Sequence, residues 1–294
     1  MKDNKKHKKA EYGILITGLI ILLAVACIIA LCAGQYSVSV PEVIKILASR
    51  FVNVTKTWSN TAEGVVFTLR LPRIIGAVLV GSALSLSGAA YQGVFKNPLV
   101  APDLLGVSSG ACVGASVAIL LHLNSFGVQA MAFVAGILAV GLTLFIPRLI
   151  KNTNMTMLVL SGIIVKGIMD SVMGIIKYVA DPETELQSIT YWQLGSLTKV
   201  LPKDLFTVGP VIVAASVIIF LLRWRINILS LGDREAKTLG VSVTVVRNFI
   251  IICATLLTAS AVCISGTIGW IGLVIPHFAR MLTRSEERRV GKEC

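Results

Sequence analysis

The sequence predicts an all-α membrane protein, a bundle of transmembrane helices that crosses the bilayer about eight times. Hydrophobic residues make up 55% of the 294 residues and charged residues only 14%, too little polar surface to coat a soluble globule. The stretch from Tyr12 to Pro41 has no charged side chain, and about 20 apolar residues suffice to cross the bilayer core. At least one crossing is therefore predicted from length and composition alone.

The predicted spans are apolar segments that follow one another along the chain. They lie at 12–33, 74–95, 104–123, 127–147, 155–176, 205–222, 248–265 and, in a shorter stretch, 268–283. The second and third segments are joined by a turn at Asn97 and Pro98, because Pro98 and Pro102 both exclude helix. Asp103 is then placed near the N-terminus of the next helix, where a carboxylate is favourable.

Glycines separate the last two segments within one uncharged run. Gly266, Gly269 and Gly272 recur at every third position, and we expect them to be aligned on one face, where the backbone packs closely or unwinds. This part of the chain is predicted to act as a gate or turn.

Basic residues predict the orientation of the bundle. With the N-terminus placed inside, fifteen lysines and arginines fall on the inner side and eight on the outer side, as the positive-inside rule requires. Residues 1–11 then form a cytoplasmic basic tail, residues 34–73 an outer segment, and residues 223–247 a cytoplasmic loop. The net charge of +12 is explained by these basic residues between apolar segments. We therefore expect the protein to contact membrane lipid and not nucleic acid.

Several kinds of site are not predicted. The chain has no G-x-x-x-x-G-K-[ST] phosphate loop and no H-E-x-x-H motif, so it is not expected to bind ATP itself or to be an intramembrane enzyme. His7, His122 and His277 are too scattered to indicate a metal site. No catalytic residue, cofactor or metal is therefore predicted.

Four sequence blocks carry a resemblance to a known family. They are RLPR at 70–73, GAAYQGVFKNPLVAPDLLGVSSGA at 88–111, LGDREAKTLGV at 231–241 and GTIGWIGLVIPHFAR at 266–280. Together they closely resemble the FecCD-type permeases of ABC importers for iron-siderophores, haem and cobalamin. The resemblance implies a permease of the bacterial plasma membrane that pairs with a second copy or paralogue and works with ATPase subunits and an extracytoplasmic substrate-binding protein.

The resemblance also implies two docking surfaces. The family presents the segment around 231–241 to its ATPase, so the predicted coupling residues are Asp233, Arg234, Glu235, Lys237, Leu239 and Gly240. A merely solvated charged loop is the alternative interpretation. Arg70 and Arg73 are expected to bind acidic residues of the binding protein, because guanidinium groups suit carboxylates. In the alternative interpretation, they only extend to the lipid headgroups, as cations at the end of a span often do.

Lys166 and Asp170 are unusual because both fall in the middle of a predicted span, where a charge is costly. Their spacing predicts an ion pair along one helix face. One hypothesis places them on the translocation path, with Met169 and Met173 as an adaptable apolar wall. A neutralised structural pair packed against another helix is the other.

The chain is interpreted as one permease domain over 1–284, followed by a tail at 285–294 that does not fit the family. Family members continue with two further spans, about ten in all, so a truncated sequence with a foreign tail is expected. A secondary active transporter without an ATPase is the alternative function.

Overall fold

The computed structural model describes residues 2–53, 55–151 and 154–283, with side chains from residue 11 onward. The described residues form helices and connecting segments without strands, so the predicted all-α class is confirmed. Arg284 and the predicted tail at 285–294 lie outside the described residues.

The helices are numbered in chain order. They are α1 (Lys2–Cys32), α2 (Val40–Ala48), α3 (Asn60–Gly64), a π-helical turn (Val65–Arg70), α4 (Leu71–Phe95), a 3₁₀ turn (Pro102–Leu105), α5 (Val107–Leu120), α6 (Ser125–Leu149), α7 (Met155–Val179), α8 (Glu185–Leu194), α9 (Pro202–Leu221), α10 (Arg223–Leu231), α11 (Asp233–Thr238), α12 (Val243–Ser265) and α13 (Ile271–Leu282).

Each predicted apolar segment corresponds to a helix whose ends differ by a few residues, except that α1 begins well before its segment, at Lys2. Within the described ranges, six helical stretches of 20 to 36 residues are long and apolar enough to cross a bilayer. Helices α5 and α13 are shorter than a full crossing, so the prediction of about eight crossings stays a prediction. The chain leaves helical geometry after Ser265, as the glycines of this region predict.

The described residues divide into two compact units, one formed by the described part of 2–77 with Thr283 and the other by that of 78–282. In the first unit, the predicted outer segment folds around a small apolar core. Its buried members are Leu31, Val38, Val43, Ile46, Trp58, Ala62 and Val66. The segment is therefore a folded structure with its own apolar core, not an extended loop.

The second unit is organised around α12. In the most apolar stretch of this helix, 78% of the residues are buried inside the protein. Helix α4 bonds to it through two pairs of hydroxyl groups. Ser87 and Thr258 lie 2.8 Å apart, and Tyr91 and Thr255 lie 2.9 Å apart. Such bonds between helices contribute about 0.6 kcal/mol each in a membrane and fix which faces meet.

Small residues set the distance between α5 and α6. A Cβ atom on Gly114 would overlap the carbonyl oxygen of Met131, and one on Gly110 would lie 2.5 Å from the Cβ of Ala139. The two backbones therefore approach as closely as their atoms permit, which is how helices gain attraction where apolar burial provides little.

This close approach predicts a difference between two glycines. Gly114→Val should lower the free energy of unfolding by about 1–3 kcal/mol, because the added methyl groups force α5 away from α6. Gly141→Val is the matched control, since a Cβ there meets nothing within 4 Å. Thermal unfolding of the purified protein in detergent measures both, and equal effects would contradict the proposed packing.

Candidate coupling segment and translocation cavity

Helix α11 is the short charged helix predicted to dock a partner. It ends in a Schellman turn, in which the amide groups of Gly240 and Val241 donate to the carbonyl oxygens of Lys237 and Ala236, both at 3.0 Å. Gly240 has a φ of +73°, which the turn requires and a residue with a Cβ rarely adopts. Gly240 therefore ends the helix, whereas its predicted role in coupling stays a prediction.

Asp233 is held by two cations from other parts of the unit. Lys96, just after α4, donates to Oδ1 at 2.6 Å, and Arg247 on α12 donates to both carboxylate oxygens at 2.8 Å. Burial by itself raises the pKa of Asp233, but the hydrogen bonds from Arg247 and Lys96 outweigh it and hold this pKa below its ordinary value. The contact is lost only as the pH falls through that lowered pKa, so it is intact at neutral pH.

The other predicted coupling residues point away from the unit. Arg234, Glu235 and Lys237 are exposed, and the apolar side chain of Leu239 is 61% exposed. Ala236, by contrast, is fully buried. Helix α11 therefore has one anchored face and one open face that carries both charge and an apolar residue.

The turn between α4 and α5 contains the predicted turn residues. The side chain of Asn97 accepts a hydrogen bond from the amide of Leu99 at 2.9 Å, and Pro98 lies between them. Asp103 accepts from the amide of Ser108 at 3.2 Å, so it satisfies a free donor in the first turn of α5, as predicted.

The predicted ion pair between Lys166 and Asp170 is wrong. The Nζ atom of Lys166 lies 2.7 Å from Oδ2 of Asp103, in the 3₁₀ turn, and among the described residues no ion pair or hydrogen bond reaches the side chain of Asp170. The sequence showed the i, i+4 spacing but not the neighbouring turn, whose carboxylate lies closer. Asp103 is therefore a site residue that sequence reasoning missed.

These residues line a cavity of about 340 Å³ within the second unit. Its wall includes Asp103, Lys166, Asp170 and Met173, together with residues 267–270 and Gly272. Met169 is half-buried and does not line it. The structure thus brings three of the four predicted path residues together with two of the predicted gating glycines, Gly269 and Gly272.

The gating glycines do not share one helix face. Gly266 and Gly269 lie in the non-helical link between α12 and α13, whereas Gly272 lies in α13. The expected alignment fails because the helix unwinds at Gly266, whose φ is +68° and whose missing Cβ leaves room for the carbonyl oxygen of Trp192. Unwinding, the second possibility predicted for this region, is what the structure shows.

The link separates two cavities. Ser265 and Gly266 line a larger one of about 560 Å³, whereas the residues from Thr267 onward line the smaller one. The amide of Ser196 donates to the carbonyl oxygen of Ser265 at 2.6 Å, and the hydroxyl of Thr267 donates to the carbonyl oxygen of Gln193. The link and the end of α8 therefore form a partition between the cavities.

Arg70 in the first unit is an internal residue. It is 9% exposed, and its guanidinium donates to the carbonyl oxygens of Leu31, Cys32 and Tyr36, at and beyond the end of α1. Arg73 is half-buried, and its side chain makes no hydrogen bond or ion pair with the described residues. The predicted docking role of the two arginines stays a prediction, but their surroundings differ.

Comparison with known proteins identifies the family. The FecCD transport family matches residues 22–290. The chain belongs to this family.

Its relatives are membrane transport proteins. The molybdate import system permease protein of Haemophilus influenzae is 37% identical over 273 residues, which is 92% of this chain and 80% of that protein. A Helicobacter pylori protein named as an iron chelatin transport system permease is 42% identical over 217 residues, 74% of this chain and 65% of that protein.

A solved ABC transporter of the metal-chelate type, in an inward-facing conformation, has a TM-score of 0.82 with this chain and 34% identity. The match covers 92% of this chain and 82% of that one. This FecCD chain is thus the permease component of an ABC importer, a multi-pass membrane protein and not an enzyme. A secondary transporter, the alternative from the sequence, is not favoured.

The close packing around Gly272 predicts that Gly272 and Gly269 differ in how well they tolerate an added methyl group. Gly272→Ala should lower the free energy of unfolding by about 1–3 kcal/mol and reduce transport, because the new Cβ overlaps the ring of Pro102 and lies 2.8 Å from the carbonyl oxygen of Leu84. Gly269→Ala is the control, with nothing within 4 Å of its Cβ. Thermal unfolding and uptake measure both, and a tolerated Gly272→Ala would contradict the close approach.

Proposed function

We propose that this chain is the membrane-spanning subunit of a bacterial plasma-membrane importer that carries a metal chelate, such as an iron-siderophore, and is driven by ATP hydrolysis on separate subunits. The anchored and open faces of α11 are the observation that carries the proposal. They give a soluble ATPase a charged and apolar surface to bind, and they connect that surface to the helices around the cavity.

The anchored face provides the coupling. Asp233 is bonded to the end of α4 through Lys96 and to α12 through Arg247. A displacement of α11 by the ATPase therefore acts on α4 and α12 together. Arg247 is the stronger support, because its side chain is 11% exposed and the charge contact is correspondingly less screened by solvent than that of Lys96.

The open face provides recognition. Arg234, Glu235 and Lys237 would pair with charges of the ATPase, and Leu239 would enter an apolar part of its cleft. Charged groups at such a rim fix register and speed association more than they add affinity. Leu239 is 61% exposed, so its side chain is available for an apolar contact within such an interface.

The cavity at Lys166, Asp170 and Met173 is our candidate for part of the translocation path. The partition formed by the link from Gly266 to Trp270 would then act as the gate between this cavity and the larger one. Non-helical backbone at membrane depth is tolerated where protein or a water-filled cavity surrounds it, and such segments recur at transport sites.

The remaining parts of the importer follow the predicted orientation. The basic N-terminal tail and the 223–247 loop would face the cytoplasm, and the 34–73 segment would face the binding protein outside. A second permease copy or paralogue would complete the path. Arg73 would meet the acidic residues of the binding protein, while Arg70 holds the surface around it in shape.

Reversing the charge of the open face should break the complex with the ATPase. Arg234→Glu combined with Lys237→Glu should weaken co-purification of the ATPase about tenfold or more and abolish ATP-driven uptake, because like charges then face each other across the interface. The matched control for co-purification reverses two exposed cations that the predicted orientation places outside, Lys199→Glu with Lys203→Glu. Normal ATPase binding by the first variant would refute the docking proposal.

Separate substitutions of Arg70 and Arg73 should distinguish a structural role from a docking role. Arg70→Gln should lower the stability of the first unit by about 1.5–3 kcal/mol, because charged hydrogen bonds to three carbonyl groups are lost. Arg73→Gln should leave stability within about 0.5 kcal/mol but weaken binding of the substrate-binding protein about tenfold. Thermal unfolding and a direct binding assay measure the two effects, and wild-type affinity of Arg73→Gln would exclude its docking role.

A further inference from the structure

The charge of the smaller cavity is unbalanced. Of the described residues that line it, three are charged, namely Asp103, Lys166 and Asp170. Asp103 and Lys166 form an ion pair at 2.7 Å and neutralise each other. Asp170 is exposed and belongs to no ion pair. Two carboxylates and one ammonium group therefore give the cavity lining one net negative charge.

The aromatic residue on the same wall has a matching preference. Trp270 lines the cavity and is 77% exposed, with a φ of +70° that a bulky side chain rarely adopts. The face of an indole ring attracts cations and stacks on flat apolar groups, while its N–H is a hydrogen-bond donor. The exposed ring face of Trp270 therefore suits the cations that Asp170 attracts.

We infer that this cavity is an acidic part of the translocation path that passes neutral or positively charged metal chelates and disfavours oxyanions such as molybdate. The inference rests on the proposed function and narrows its cargo. In a pair of permease copies facing each other, two Asp170 carboxylates would border one passage. A cleft of one sign of charge between low-dielectric walls concentrates ions of the opposite sign and excludes its own.

Family membership by itself leaves this point open. One relative described above is named for an oxyanion and another for an iron chelate. The unpaired carboxylate is a property of this chain's own wall, and it assigns Asp170 the role of a specificity-determining residue.

A charged thiol reagent tests the inference without knowledge of the cargo. Ser108 lines the cavity, and Ser108→Cys is placed in a complete chain whose own cysteines are replaced, reconstituted with its ATPase in proteoliposomes. The modification rates by trimethylammonium-ethyl and sulfonato-ethyl methanethiosulfonate are divided by those of a free thiol. We expect a preference of about tenfold for the cationic reagent, because the local potential is negative.

Substitution assigns that preference to one side chain. Asp170→Asn should bring the ratio close to that of the free thiol, whereas Asp170→Glu should keep it. Glu183→Gln is the matched control, since Glu183 is an exposed acid that does not line the cavity. Ala101→Cys is a second reporter on the same wall, should Ser108→Cys disturb folding.

The outcomes separate the inference from the proposed function. A ratio equal to that of the free thiol, or one unchanged by Asp170→Asn, would overturn the acidic passage, and so would ATP-driven uptake of molybdate by the wild-type complex. A strong cationic preference in a complex that transports no chelate with ATP would instead contradict the proposed function and leave the charge of the cavity established.

Discussion

The fold depends on satisfying backbone polar groups where the helices are broken. Lipid offers no hydrogen bonds, so a non-helical segment within the bundle must find its partners in the protein. Gln92 shows how this is done. Its buried amide donates to the carbonyl oxygen of Val100, in the link before α5, and to that of Leu273, in α13, while its carbonyl oxygen accepts from Arg280. One side chain therefore connects the non-helical segment before α5 with helix α13, and residues of both regions line the cavity.

The same constraint explains why charge is concentrated at the breaks. Asp103 accepts from the first turn of α5 and binds Lys166 on α7, so its two oxygens join three elements of the wall. Asp233 similarly joins α11 to Lys96 and Arg247. A buried or half-buried charge is stable only with partners of this kind. Asp170 is different, because its side chain is exposed to the cavity and forms no ion pair or hydrogen bond with the described residues.

Sequence reasoning was reliable where the signal was local. Apolar segments located the long helices because burial in lipid needs an uninterrupted run of suitable side chains. The end of α11 at Gly240 was predictable because a Schellman turn is built from adjacent residues. The ion pair of Lys166 and the surroundings of Arg70 were not, because their partners lie 63 and 39 residues away in sequence. The face shared by the gating glycines was mispredicted because helical spacing was assumed beyond Ser265.

By itself the sequence determined that this chain is helical, spans a membrane and resembles the FecCD permeases. Composition, hydrophobic runs and short motifs can all be read without knowledge of which distant residues meet. Only the tertiary structure decided which carboxylate Lys166 binds, which arginine is internal, and that the link after α12 divides two cavities. Those facts depend on distances between distant segments. Small residues such as Gly114 and Gly272 permit the close approaches that set these distances, and their partners cannot be known until the helices are packed.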